Sequence, residues 1–165
     1  GVYAIGDVTG KAMLAHVASH QGIVAAANAC GGRQHMHYHA VPAVIFTHPE
    51  IAMVGYTIEE AKELGYAAKA GLFPFSALGK ARAAMATEGF AQVVTCEKTG
   101  QLLGAQVMGA EASALIGEMA VAIQNELTVE SLCETIHAHP TLSEAWLEAG
   151  LIANGTPIHF PPSKR

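Results

Sequence analysis

The spacing of apolar positions divides the chain near residue 40. Before that point, the short apolar run Val2–Ile5 predicts a buried strand. A segment of small and apolar residues then predicts a helix that begins near Lys11–Met13 and ends at Ala29, where two glycines follow. Because this helix is apolar on nearly every side, we expect it to be buried on several faces. The polar segment Arg33–His39 is the predicted domain boundary.

After residue 40, short apolar runs alternate with helical patterns. Thr57-Ile58-Glu59-Glu60 has the spacing of a capping box and predicts a short helix that ends at Gly65. One face of a later helix carries residues that recur every four positions: Leu115, Met119, Ile123 and Leu127. The predicted strands are 41–46, 51–54, 67–75, 90–97 and 101–108. The predicted helices are 112–126, 128–136 and 140–153, and the proline-rich tail from residue 157 should be extended.

This order of elements predicts an α+β fold. Residues 40–165 should form an antiparallel sheet, with most of the helices gathered after it and flanking it. Residues 1–39 supply a single strand and a helix, and one strand has no sheet to pair with. We therefore expect residues 1–39 to be the end of an α/β domain whose remainder lies upstream in a longer protein.

Composition and charge exclude several classes of protein. Hydrophobic residues make up 51% of the 165 residues, which is too apolar for a disordered chain. The net charge of −5 and the absence of a basic stripe argue against nucleic acid. No apolar run reaches the roughly 20 residues that cross a bilayer, and the first residues lack the basic region of a signal peptide.

The three cysteines, Cys30, Cys96 and Cys133, form no CxxC pair and no even-numbered framework. Free cysteine usually behaves as a small hydrophobic residue. The pattern therefore predicts buried thiols in a reducing compartment.

The densest set of chemically active residues is His137-Ala138-His139-Pro140-Thr141-Leu142-Ser143-Glu144. A histidine before a proline, with a carboxylate five residues on, can be a general base whose tautomer the carboxylate fixes. Alternatively the histidines are structural or bind a metal, or Glu144 only closes a capping box with Thr141. No nucleophile lies nearby, so the rest of an active site would have to come from elsewhere.

A second candidate site follows the first predicted strand. Asp7 lies between a strand and a helix, where ligands bind in α/β folds, and its carboxylate can accept hydrogen bonds from sugar-like hydroxyls. The N–H groups of Met13, Leu14, Ala15 and His16 would favour an anionic ligand atom. An ordinary turn aspartate is the alternative.

Two further histidine patterns are weaker. His35, His37 and His39 alternate and would share one face of an extended chain, but solvated linker histidines are more common than metal ligands, so we predict no metal site. His48-Pro49-Glu50 joins two predicted strands and favours a turn.

Taken together and in this order, four motifs resemble the C-terminal third of the dihydrolipoamide dehydrogenase family, which belongs to the flavin-dependent pyridine nucleotide–disulfide oxidoreductases. The motifs are Tyr3-Ala4-Ile5-Gly6-Asp7, Met13-Leu14-Ala15-His16, Thr47-His48-Pro49-Glu50 and the octet from His137 to Glu144. The resemblance spans nearly the whole chain. It implies that residues 1–39 end an FAD-binding domain and that residues 40–165 are a dimerisation domain.

The resemblance also implies roles for single residues. Asp7 would hold the ribityl chain of FAD, and the N–H groups from Met13 to His16 would face the flavin ring. His139 would be the catalytic base, oriented by Glu144, and would serve the flavin and redox disulfide of the opposite subunit of a homodimer. Dihydrolipoamide would be oxidised to lipoamide, with electrons passing through FAD to NAD.

Several expectations about the setting follow from the same resemblance. The partners would be lipoyl domains of 2-oxo acid dehydrogenase complexes or of the glycine cleavage system, in the bacterial cytoplasm or, in a eukaryote, an organelle matrix. The chain has no GxGxxG fingerprint, no CxxxxC redox pair and no NAD-binding unit, so it should be inactive alone. A non-catalytic dimerisation module and a relative such as glutathione reductase are the alternatives.

Overall fold

The computed structural model describes residues 1–161, which form two compact units, Gly1–Val41 and the residues from Pro42 onward. The first unit contains a 3-10 helix at Gly6–Thr9 and helix α1 at Ala15–Ala29. Helix α1 ends where the sequence predicts and begins slightly later than predicted. No helix of the described residues is long and apolar enough to cross a membrane.

The predicted strand Val2–Ile5 is wrong, because this segment has no regular secondary structure. A strand must satisfy its backbone groups on a neighbouring strand, and residues 1–41 include no strand. A side chain of α1 takes part of that role. The Gln21 amide accepts a hydrogen bond from the Gly6 N–H at 2.6 Å and donates to the Tyr38 hydroxyl at 2.9 Å.

The expectation that α1 is buried on several faces is also wrong within the first unit. Its buried residues are Val17, Gln21 and Val24, which share one side of the helix. Cys30, at the end of α1, is exposed, which contradicts the prediction of a buried thiol there. A 41-residue unit with one long helix has too few neighbouring elements to cover the other faces of that helix.

The second unit is an open antiparallel sheet with helices beside it, which confirms the predicted α+β fold. Its strands are β1 Ala43–Ile45, β2 Glu50–Gly55, β3 Ala68–Pro74, β4 Phe90–Cys96 and β5 Leu102–Gly109. Its helices are α2 Ile58–Glu63, α3 Gly79–Ala83, α4 Ala112–Gln124, α5 Val129–Glu134 and α6 Glu144–Ala153. The strand order is β1-β2-β5-β4-β3, and every neighbouring pair is antiparallel.

The main core lies between one face of the sheet and helices α4 and α6. Helix α4 packs on β2 and β5, whereas α6 packs on β3 and β4. Along each strand, residues that face these two helices alternate with residues that face the other side of the sheet, because successive side chains of a strand point to opposite faces. Fully buried inward residues include Val54, Phe73, Ala91, Val93, Ala105 and Val107. Trp146 of α6 is also fully buried, and its indole N–H donates to the Leu115 carbonyl of α4 at 3.1 Å.

Helix α6 lies unusually close to strand β3. A Cβ atom at Gly71 would collide with the Ala149 carbonyl oxygen and the Ala153 nitrogen, which are both backbone atoms of α6. Only glycine therefore allows this approach. The close contact fixes the helix that carries Glu144 against the sheet.

The opposite face of the sheet is covered at one end by α2. Ala61 of α2 packs in a small cluster with Ala68, Val94 and Leu103 of the sheet. Thr57 caps α2 by accepting from the Glu60 N–H while Glu60 accepts from the Thr57 N–H, which confirms the predicted capping box.

Three local predictions differ from the structure in the second unit. The segment after Phe75, for which the sequence predicts no element, contains a short 3-10 helix at Phe75–Ala77 and the helix α3. Predicted strand 41–46 shortens to β1, and the last helix begins at Glu144 rather than directly after Pro140. These are short elements, whose few residues carry too little periodicity to define them. Residues 162–165 of the predicted extended tail lie outside the described residues.

Candidate functional site

His139 is an exposed imidazole backed by a carboxylate. It lies in the irregular segment 135–143 between α5 and α6, and its side chain is 77% exposed. Its Nδ1 lies 2.9 Å from Oε1 of Glu144. Because a carboxylate can only accept, the neutral ring carries its proton on Nδ1 and keeps the lone pair of Nε2. Within residues 1–161 this is the only hydrogen bond to the ring, so the lone pair of Nε2 has no partner there.

Glu144 is the first residue of α6, and its side chain is held by the backbone just before the helix. Its side chain is 20% exposed, and its Oε2 accepts a hydrogen bond from the Thr141 N–H at 2.8 Å. Burial acts to raise the pKa of Glu144, but the hydrogen bonds from the Thr141 N–H and from His139 outweigh it and hold that pKa below its usual value. The carboxylate is therefore ionised at neutral pH, which is the form that orients His139.

The predicted capping box at the start of α6 is only half present. Thr141 is not the N-cap, because the helix begins at Glu144 and Ser143 precedes it without a side-chain cap. The Thr141 hydroxyl donates instead to the Ala138 carbonyl at 2.7 Å. The other half remains, since Glu144 reaches back to the Thr141 backbone. Glu144 thus contacts both the imidazole and the backbone, two interactions that the sequence presented as alternatives.

His137 has very different surroundings from His139. Its side chain is only 4% exposed, its Nδ1 lies 3.0 Å from the Thr135 carbonyl, and its Nε2 lies 2.9 Å from Oε1 of Glu118 on α4. Both ring nitrogens therefore face acceptors. The hydrogen bond from His137 to the Glu118 carboxylate raises the pKa of His137, against the opposing effect of burial. A buried imidazole whose two nitrogens both have hydrogen-bond partners is unsuited to take up a proton from a substrate.

A second carboxylate on α6 pairs with another histidine. Glu148 lies one turn after Glu144, and its side chain is 4% exposed. Its Oε1 lies 2.7 Å from Nδ1 of His159, and its Oε2 accepts from the His159 N–H at 3.2 Å. Both pairs line one cavity of about 250 Å³, whose other walls are apolar. The apolar lining residues are Phe73, Ala77, Leu78, Gly79, Leu147 and Ile158.

The residues predicted to contact FAD all lie in the first unit. Asp7 is in the 3-10 helix and its side chain is exposed. Leu14 is the N-cap of α1, so Ala15 and His16 lie in the first turn, whereas Met13 precedes the helix. The Leu14 N–H already donates to the carbonyl of Ala12. An exposed carboxylate before a helix N-terminus fits a cofactor that carries hydroxyl and anionic groups, so these residues are compatible with FAD.

The alternating histidines His35, His37 and His39 lie in the first unit. The rings of His37 and His39 lie edge to face with centroids 6.2 Å apart. Among residues 1–161, no group of three or more histidine, cysteine, aspartate or glutamate side chains could hold a metal ion.

Glu50, in the third motif, has a structural contact that its sequence position does not suggest. Its Oε2 accepts a hydrogen bond from the Ser113 N–H at 2.9 Å. This bond, from the first turn of α4, lowers the pKa of Glu50. The carboxylate at the start of β2 therefore caps α4, whose own N-cap residue makes no side-chain cap.

Sequence reasoning missed two pairs, Glu118–His137 and Glu148–His159. Their members are 19 and 11 residues apart, and each pair joins different segments, so no local motif marks them. One signal was available for the second pair. Glu144 and Glu148 have the four-residue spacing that places both carboxylates on one face of a helix.

The described residues from Pro42 onward combine an open antiparallel sheet and flanking helices with an exposed imidazole backed by a carboxylate. Residues 41–150 match the family described as "Pyridine nucleotide-disulphide oxidoreductase, dimerisation domain". The chain belongs to this family.

The relatives of the chain confirm the resemblance drawn from its motifs. It is 58% identical over 161 residues to a dihydrolipoyl dehydrogenase of Chlamydia pneumoniae, and 45% identical over 159 residues to that of Bacillus subtilis. These alignments cover 98% and 96% of this chain but 35% and 34% of the relatives. The chain therefore spans about a third of the length of the curated relatives it matches.

Solved structures show the same fold. LpdA from Mycobacterium tuberculosis matches with a TM-score of 0.84 and 36% identity, over 90% of this chain and 32% of that one. An HOCl-induced flavoprotein disulfide reductase from Escherichia coli matches with a TM-score of 0.82 over 90% of this chain and 34% of its own, and at 24% identity it shows the fold alone.

Proposed function

We propose that this chain works as the C-terminal third of a flavin-dependent dihydrolipoyl dehydrogenase and supplies its acid–base pair. The observation that carries the proposal is the 2.9 Å contact between Glu144 and Nδ1 of an exposed His139. This geometry leaves Nε2 of His139 as a proton acceptor that reaches outward from the domain. The relatives named dihydrolipoyl dehydrogenase support the choice of reaction.

The proposed chemistry begins with a proton. A dihydrolipoyl thiol is a weak nucleophile until it is deprotonated, and Nε2 of His139 takes that proton. Ionised Glu144 stabilises the resulting imidazolium through Nδ1. The thiolate can then attack a redox disulfide elsewhere in the enzyme, so that the dithiol is oxidised to lipoamide as the disulfide is reduced. In the proposed homodimer that disulfide belongs to the opposite subunit.

The proposed cofactor is FAD, with NAD as co-substrate. Asp7 would bind hydroxyl groups of FAD, and the first turn of α1 at Ala15 and His16 would face its electron-rich ring. The chemistry supplied by bound FAD is the acceptance of an electron pair and its transfer as hydride to NAD. We also propose lipoyl domains as partners, and the bacterial cytoplasm or an organelle matrix as the location.

The test of the function is an assay of the full-length enzyme that contains this chain. We expect oxidation of dihydrolipoamide with NAD at a turnover on the order of 10 s⁻¹ or more. The 165-residue chain alone should show none, because it has no CxxxxC pair. Reduction of glutathione disulfide without lipoamide turnover would instead identify a glutathione reductase, and no turnover of either substrate would favour a non-catalytic dimerisation module.

We also expect the chain to form a homodimer through the unit that begins at Pro42, since that unit contains the match to a dimerisation domain. Sedimentation velocity of the 165-residue chain should show a dimer whose fraction rises with concentration. A monomer that does not change over a wide concentration range would contradict this proposal.

A further inference from the structure

We propose that Glu118 and His137 are positioning residues for His139: a carboxylate–imidazolium pair that anchors the segment 135–143 to helix α4. This inference rests on the proposed function, since it assigns a role to residues that act through His139. It adds two residues that touch neither the substrate nor the cofactor.

The first argument is the need for an anchor. The segment 135–143 has no regular secondary structure, and the His139 side chain projects into solvent. On its C-terminal side the segment is held by Glu144 and Thr141. On its N-terminal side Ile136 is exposed, and His137 is the side chain that turns inward. The position of His139 therefore depends on contacts at both ends.

The second argument is the protonation state of His137. A neutral imidazole has one donor and one acceptor nitrogen, so it cannot satisfy two acceptors. The Thr135 carbonyl at 3.0 Å and the Glu118 carboxylate at 2.9 Å are both acceptors. With both nitrogens protonated, the ring donates two hydrogen bonds and no lone pairs oppose each other. Glu118 and Glu144 are the two carboxylates that favour this charge.

The third argument is what the anchor connects. Glu118 lies on α4, which packs on β2 and β5, so His137 ties the segment to a rigid part of the core. Charge-assisted hydrogen bonds are shorter and stronger than neutral ones. A general base must lie within hydrogen-bond reach of the proton it removes, and small displacements cost rate.

The main experiment is a set of variants in the full-length enzyme. We expect Glu118→Ala to lower kcat for dihydrolipoamide roughly ten- to hundredfold, with little change in KM and in bound flavin. Glu118→Gln should restore part of the rate, because its amide can still hydrogen bond to His137. Glu63→Gln, which removes an exposed charge on α2, is the control and should leave kcat unchanged.

A double-mutant cycle separates positioning from a general structural effect. In a His139→Gln background, Glu118→Ala should cause no further loss, because its effect passes through His139. An additional loss in that background would overturn the proposal, as would an unchanged kcat in Glu118→Ala alone. If His139→Gln itself has no effect, the proposed function fails, and that outcome is distinct from these.

A measurement that does not depend on enzyme activity keeps the proposal testable if Glu118→Ala does not fold. Nitrogen-15 NMR of the histidine rings in the full-length wild-type enzyme should show both ring nitrogens of His137 protonated at neutral pH. In Glu118→Gln, His137 should lose its proton at a lower pH than in the wild type. A wild-type His137 with one unprotonated ring nitrogen at neutral pH would overturn the proposal.

Discussion

Replacing His139 by glutamine in the full-length enzyme should lower dihydrolipoamide turnover by about two to four orders of magnitude, the range over which a general base contributes. Glutamine is similar in reach and can still hydrogen bond to Glu144, but it cannot accept a proton near neutral pH. The side chain is exposed, so its replacement leaves the core intact. Steady-state kinetics and the flavin absorbance of the purified variant measure the two effects separately.

The matched control for this variant is His35→Gln, which makes the same chemical change at an exposed histidine of the first unit. It should retain wild-type turnover and flavin content. Near-normal turnover in His139→Gln would show that His139 is not the catalytic base. Loss of flavin together with activity would mean that the substitution disturbs the assembly rather than the proton transfer.

The second large effect is expected at Gly71. In Gly71→Ala, the added methyl group collides with backbone atoms of Ala149 and Ala153, so α6 must move away from β3. Such overpacking costs about 1–3 kcal/mol of the free energy of unfolding. Urea titration of the 165-residue chain measures it directly. Trp146 is the only tryptophan, is fully buried on α6, and reports the transition by its fluorescence.

Gly117→Ala is the control for Gly71→Ala. A Cβ at Gly117 meets no atom within 4 Å, and the residue lies inside helix α4. Because alanine is the better helix former, this variant should be more stable by about 0.5–1 kcal/mol. Equal stability of Gly71→Ala and the wild type would show that the helix can shift from the strand at little cost.

The sequence predicts an element of the fold more accurately when its periodic pattern of apolar residues is longer. Strands β4 and β5 and helix α4 lie within one or two residues of their predicted ends, because each contains enough residues for a clear period. The segment Val2–Ile5 has the composition of a strand but no neighbour to pair with inside its unit. Composition reports the preference of a segment, and pairing decides its structure.

The candidate site was predictable only where its members are close in sequence. His139 and Glu144 are five residues apart and belong to one motif, so their contact could be anticipated. The difference between His137 and His139 could not, because it depends on Glu118, which α4 brings in from 19 residues away. Likewise, the spacing of Glu144 and Glu148 places both carboxylates on one face of α6, but no local motif indicates that Glu148 pairs with His159.

Two carboxylate–histidine pairs line the cavity beside His139, and its net charge depends on whether the imidazoles are protonated. With both His139 and His159 protonated, the four side chains sum to zero, and with both imidazoles neutral they sum to −2. A neutral amide can approach this cavity in either state, whereas a free carboxylic acid meets repulsion once the imidazoles are neutral. With both imidazoles neutral, electrostatics alone therefore disfavours an acidic ligand at these walls.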